Sequence, residues 1–139
     1  MMSDIADLLF HDKLYRRDKW MEILKDPIWK PRFNIPLDEQ REIAYKQLKC
    51  VMDSGVVSVM NFFDDPTNIF TSHEMIGSVS GHTATKFTVH MNLFGGSIAA
   101  LHTERHKWIF PKLDKLDITG CFCLTELGLS LIHISEPTR

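Results

Sequence analysis

Apolar residues recur at helical steps along nearly the whole chain, and the one stretch suited to a pleated strand comes late, at residues 118–125. A single strand cannot satisfy its own backbone groups and no convincing partner strand lies upstream, so the chain is expected to stop just as a sheet begins. The clearest helix runs from Leu37 to Met52, with Leu37, Ala44, Leu48, Val51 and Met52 on one stripe. Asp38, Glu39 and Glu42 sit near its positive end, and Gly55 is placed to stop it. Upstream, Ser3 and Asp4 offer N-cap oxygens to a short turn. Asp12 can open a helix carrying Tyr15, Trp20, Met21, Ile23 and Leu24, which Pro27 and Pro31 end.

Downstream, Asp65-Pro66 reads as an N-cap followed by proline in the first turn, leading a helix toward Ile76. Ser80 or Thr83 begins a long helix with Ala84, Phe87, Met91 and Phe94 on its inner side. The pair Gly95-Gly96 interrupts that pattern and marks a bend, or a place where another backbone or a ligand comes close. Thr103 is expected to cap a last helix holding Trp108, Ile109 and Leu113, with Pro111 as a kink. The texture then changes to Ile118-Thr119-Gly120-Cys121-Phe122-Cys123-Leu124-Thr125, which has no helical period.

Composition narrows the function classes. A chain of 139 residues has room for one ordinary domain. Its 16 Lys and Arg against 18 Asp and Glu form no basic run, which argues against nucleic-acid binding. No apolar stretch approaches the roughly 18 to 20 residues needed to span a bilayer. Cys50, Cys121 and Cys123 leave one thiol over in any pairing and suit a reducing, intracellular setting.

Several chemical motifs fail on spacing. His102 and His106 lie four apart and Cys121 and Cys123 two apart, but zinc sites use Cys-x2–4-Cys or His-Glu-x-x-His, so no metal site is assigned. His73, His82, His90 and His133 carry no spacing signal and read as surface or hydrogen-bonded core histidines. Gly77-Ser78-Val79-Ser80-Gly81 lacks the central serine and preceding strand of a nucleophile elbow and reads as a loop. Asp64-Asp65 could be paired carboxylates, yet Pro66 makes a helix cap the simpler reading.

What remains is the segment from Lys86 to Gly128. It contains Phe94-Gly95-Gly96-Ser97, Thr103-Glu104-Arg105-His106 and Gly120-Cys121-Phe122-Cys123-Leu124-Thr125-Glu126-Leu127-Gly128. Here the chain resembles the flavin-dependent acyl-CoA oxidases of the acyl-CoA dehydrogenase superfamily. The resemblance extends more weakly upstream through Leu37 to Phe70, with its Asp64-Asp65-Pro66. It implies a mainly α fold: a helical N-terminal domain over residues 1–117, then the first strand of a middle β domain over 118–128.

The resemblance also implies a chemistry, the oxidation of acyl-CoA to trans-2-enoyl-CoA with FAD as cofactor and molecular oxygen reduced to hydrogen peroxide. Thr125 matches the threonine that hydrogen-bonds the flavin ring, and Gly95 and Gly96 would border the acyl and flavin cavity. The glutamate base belongs to the family's C-terminal half, so no catalytic residue is assigned in this chain. A homodimer and a peroxisomal location are further implications. Position 102 is His where relatives usually have Gly, and residues 129–139 (Leu129 to Arg139) do not match the family. That tail reads as adapter or out-of-frame sequence joined to a truncated frame, and the fragment itself is expected to be inactive. The alternative is a non-catalytic helical interaction module derived from an oxidase.

Overall fold

The computed structural model describes Ile5 and residues 14–123; Asp12, Leu124, Thr125 and the 129–139 tail lie outside the described residues. Helix α1 (Leu14–Ile23) presents a narrow inner face through Arg16, Trp20 and Ile23, spaced by four and three. Trp20 is fully buried, while Tyr15 and Met21, expected nearer the core, are more than half exposed. Their faces miss the helix over Pro66–Gly77, on which α1 lies. The Tyr15 ring instead sits 5.7 Å from the Lys19 ammonium. Pro27–Trp29 then forms a 3-10 turn, in which the Ile28 amide donates to Asp26 Oδ1 at 2.8 Å.

Helix α2 (Leu37–Ser54) buries Ala44, Leu48, Val51 and Met52 as the periodicity predicts, and Gly55 ends it in the left-handed region at φ 64°. Leu37 departs from expectation at 60% exposure. It belongs to the first turn, where it lines an open hollow beside Thr85 and Lys86. Helix α3 (Asn61–Asp64) is one turn, and Asp114 braces its approach from far along the chain. The Val59 amide donates to Asp114 Oδ1 at 2.9 Å and the Ser58 hydroxyl to Oδ2 at 2.6 Å.

Helix α4 (Pro66–Gly77) opens where Asp65-Pro66 predicts, but the Asp65 side chain does not cap it. That carboxylate pairs with Arg16 and accepts from the Thr67 hydroxyl, so it joins α1 to α4. Arg16 is only 6% exposed and donates a second bond, 2.8 Å to Thr67 Oγ1. Buried Thr71 and Ser72 turn their hydroxyls back onto the Thr67 and Asn68 carbonyls, which satisfies them inside an apolar layer.

The centre of the fold is one continuous rod. Ser80 caps its start, accepting from the Thr83 amide; α5 (Gly81–Phe87) leads into a π-helix (Thr88–Gly95), and α6 (Gly96–Leu101) follows. The Gly95-Gly96 pair does not break the rod, since both residues keep helical dihedrals. The periodicity changes by widening to i→i+5 bonding, seen where the Gly96 amide reaches the Met91 carbonyl. Phe87, Met91 and Leu113 are fully buried beside Val51, Val59 and Ile76 in one core cluster.

Thr103 begins a 3-10 turn (Glu104–His106), not the last helix itself, and α7 (Ile109–Asp114) starts later. Pro111 occupies the first turn of α7, where its missing amide leaves no bond unmade, so it introduces no kink. Among the described residues there is no strand. Ile118 to Cys123 carries no ladder because nothing described lies alongside to pair with it.

Candidate functional site

Two of the three motif segments meet in space. Phe94 closes the π-helix, and its ring lies directly against the Gly120 α-carbon, where any β-carbon would overlap it. Glycine is therefore required at 120 for the 118–123 segment to lie on the rod. The third segment is local. The Thr103 amide donates to His106 Nδ1 at 3.0 Å and the Thr103 hydroxyl lies 3.2 Å from the same nitrogen, closing a capping box with His in place of Glu.

The π-helix brings polar groups inward. His90, 3% exposed, donates Nε2–H to the Leu113 carbonyl at 3.0 Å, which leaves Nδ1 a buried acceptor with no donor among the described residues. Burial pushes its pKa below the usual 6.5, against the Leu113 carbonyl and Asp114, which both favour the charged form. The imidazole is thus a neutral strut between the rod and the end of α7.

Two residues after His90, Asn92 meets His73 of α4, which donates Nδ1–H to the Ile69 carbonyl at 2.8 Å and so accepts at Nε2 from Asn92 Nδ2 at 3.1 Å. That bond fixes the Asn92 amide and leaves Oδ1 buried without a partner among the described residues. Asn92 and His73 form the polar end of a small cavity of about 220 Å³, otherwise lined by Phe62, Pro66, Ile69 and Phe70. The opening is apolar, and Phe70 is 73% exposed.

Gly95 faces other parts of the chain closely, and Gly96 does so at ordinary contact distance. A β-carbon at Gly95 would lie 2.9 Å from Val59 Cγ2 and 3.3 Å from Leu113 Cδ1, and one at Gly96 would lie 3.8 Å from the Phe62 ring. At Gly95 another element approaches closely, as one of the expectations for this pair has it. Thr125, the residue expected to touch a flavin, lies outside the described residues.

The other sequence candidates separate. His102 Nδ1 donates to the Ala99 carbonyl at 2.8 Å and its ring stands edge-on to Phe110, while His106 is held by Thr103. Cys121 and Cys123 are exposed free thiols, and among the described residues no group of three or more His, Cys, Asp or Glu is placed to hold a metal. Sequence reasoning read His73 only as a surface or hydrogen-bonded core histidine and passed over Asn92 and Asp114. Their partners come from other elements, and the only advance signal was polar residues inside apolar runs.

No protein-family model matches the chain, and no solved structure matches it. Curated sequences do. The chain is 35% identical over 124 residues to "Acyl-coenzyme A oxidase 2, peroxisomal" of Arabidopsis thaliana, a match covering 82% of this chain and 18% of that protein. It is 25% identical over 116 residues to "Peroxisomal acyl-coenzyme A oxidase 3" of Homo sapiens, covering 82% of this chain and 17% of the relative. A third, "Acyl-coenzyme A oxidase acox-3" of Caenorhabditis elegans, is 30% identical over 91 residues, 66% of this chain and 13% of its own length. The chain spans less than a fifth of the length of these relatives.

Proposed function

The chain belongs to the acyl-CoA oxidase family, and on that premise we propose that it is the helical N-terminal part of an enzyme that oxidises acyl-CoA to trans-2-enoyl-CoA and reduces oxygen to hydrogen peroxide. The observation that carries this reading is the seat of the Phe94 ring on Gly120. It joins two segments that resemble the oxidases. In this reading FAD is the cofactor, held by Thr125 together with residues outside this chain, and the enzyme is a peroxisomal homodimer. The names of the Arabidopsis and human relatives support that location. The glutamate base lies in the remaining four-fifths of the protein, so the 139-residue chain turns over no substrate.

Two measurements test this. The purified chain mixed with FAD and an acyl-CoA is expected to release no peroxide, and steady turnover would overturn the fragment assignment. The protein translated from the complete transcript should purify yellow, and Thr125→Val in it should weaken FAD binding about fivefold, the worth of roughly 1 kcal/mol for one hydrogen bond. A flavin-free product would select the competing reading, a helical interaction module. The exposed apolar side chains Leu101, Phe70, Phe63 and Trp108 favour that alternative.

A further inference from the structure

A groove far from the π-helix has a lining that stands apart from the rest of the chain. It has a volume of about 430 Å³ and lies between the 30–36 segment, the first half of α2 and the start of α5. That size falls within the range of small-molecule sites. Ile35, Ile43 and buried Ala44 form an apolar floor, and Lys30, Arg32 and His82 stand around it. A second hollow of about 250 Å³ continues from it, sharing Gln40, Ala44 and His82 and adding Leu37, Arg41 and Lys86. Neither hollow is lined by any Asp or Glu, in a chain whose formal charge is -2.

The neighbouring carboxylates stay at the margin. Arg32 pairs with Glu39 at 2.8 Å and Arg41 with Asp38 at 3.0 Å, both pairs on the surface. Among the described residues Lys30, His82 and Lys86 make no ion pair. The wall is rigid and satisfied. Gln47 donates to the Ile28 carbonyl at 2.9 Å and accepts from the Thr83 hydroxyl, which in turn accepts from Ser80. The 31–35 segment, turned by Asn34 at φ 56°, has no acceptor among the described residues for the amides of Phe33, Asn34 and Ile35. Lys30, Lys86 and the 33–35 amides thus offer positive charge and donors beside an apolar trough, with no carboxylate of the described residues paired to them.

We propose that this groove binds a linear anionic amphiphile, a medium-chain carboxylate whose head meets Lys30 and the 33–35 amides and whose tail lies on Ile35, Ile43 and Ala44 toward Leu37. Charge complementarity selects the head and the apolar floor the tail. The proposal uses no residue assigned to the flavin, so its failure leaves the oxidase reading untouched.

Gly81 allows a clean test, because it lines the groove, lies in the first turn of α5, and a β-carbon there would meet nothing within 4 Å. Titration calorimetry of the full chain with dodecanoate below its micelle concentration should show one saturable site. The cationic dodecyltrimethylammonium should bind at least tenfold more weakly. Gly81→Leu should lose about tenfold in dodecanoate affinity with a melting temperature no lower than the parent's, and Lys30→Glu with Lys86→Glu should lose about as much. Equal binding of the cationic amphiphile, full binding by Gly81→Leu, or binding only to phosphatidylserine vesicles would each overturn the proposal.

Discussion

At Gly81, the first residue of the rod, an added β-carbon would meet open space; at Gly95, where the π-helix ends, it would meet Val59, the His90 carbonyl and Leu113 within 3.3 Å. Both residues are helical glycines in one continuous element, yet only the second is a requirement of packing. The first half of the rod lies against α2 and α4 through side chains of ordinary size. The second half brings backbone against the Val59 turn and α7, so the rod widens there and a glycine admits the contact. A glycine's meaning follows from what faces it, and a helical pattern alone does not reveal that.

The sharpest way to break this contrast is Gly95→Ala. Alanine should favour a helix by about 1 kcal/mol. Overpacking against Val59 and the rigid His90 carbonyl opposes this by roughly 1 to 3 kcal/mol. The variant should therefore unfold at lower temperature, by up to about 2 kcal/mol in a denaturant titration, although it replaces glycine with the best helix former. Val59→Ala in the same background should recover part of the loss. A Gly95→Ala variant as stable as the parent would mean that the π-helix is not held by that contact.

A second difference lies in how each half spends its polar groups. Thr83 in α5 shares its hydroxyl with Gln47 and Ser80, none of which titrates near neutrality, whereas the π-helix relies on His90. The folded pKa of His90 is depressed by burial, so its contribution to stability is fully present above the unfolded value near 6.5. As pH falls below 6.5 the unfolded chain takes up a proton that the folded chain refuses. Stability then declines by at most about 1.4 kcal/mol per pH unit until the folded pKa is passed. His90→Gln keeps a donor for the Leu113 carbonyl and should flatten this part of the pH profile. Melting curves between pH 7.5 and pH 5 read the difference, and an unchanged slope would show that His90 is not the group responsible.

Helical class, the α2 stripe, the Ser80 cap and the Gly55 stop were all legible because each depends on neighbours within one or two turns. The Asp65-Pro66 start was legible as well, but the use of Asp65 was not, since its partner Arg16 lies on another helix. Buried Thr71, Ser72 and Thr83 look like solvent residues until the fold supplies acceptors for their hydroxyls. The widening at residues 88–95 left no local mark, because Gly95-Gly96 reads equally as a break. The motif segments pointed to the right family, yet their meeting at Phe94 and Gly120 depends on a return of the chain that no spacing rule encodes. The segment from Ile118 to Cys123 shows the converse: strand propensity without a partner makes no ladder among the described residues.

The smallest effect tests the open end of the rod. Gly81→Ala removes backbone freedom from the unfolded chain and meets nothing in the folded one, so it should stabilise by a few tenths of a kcal/mol, less than the mid-helix value because residue 81 begins the helix. Its sign is opposite to that of Gly95→Ala, and the opposition matters more than either magnitude. If both alanines destabilise, helix geometry common to the whole rod is responsible and the local packing account fails. If only Gly95→Ala does, the contrast between the two halves rests on Val59 and Leu113, as the contact distances require.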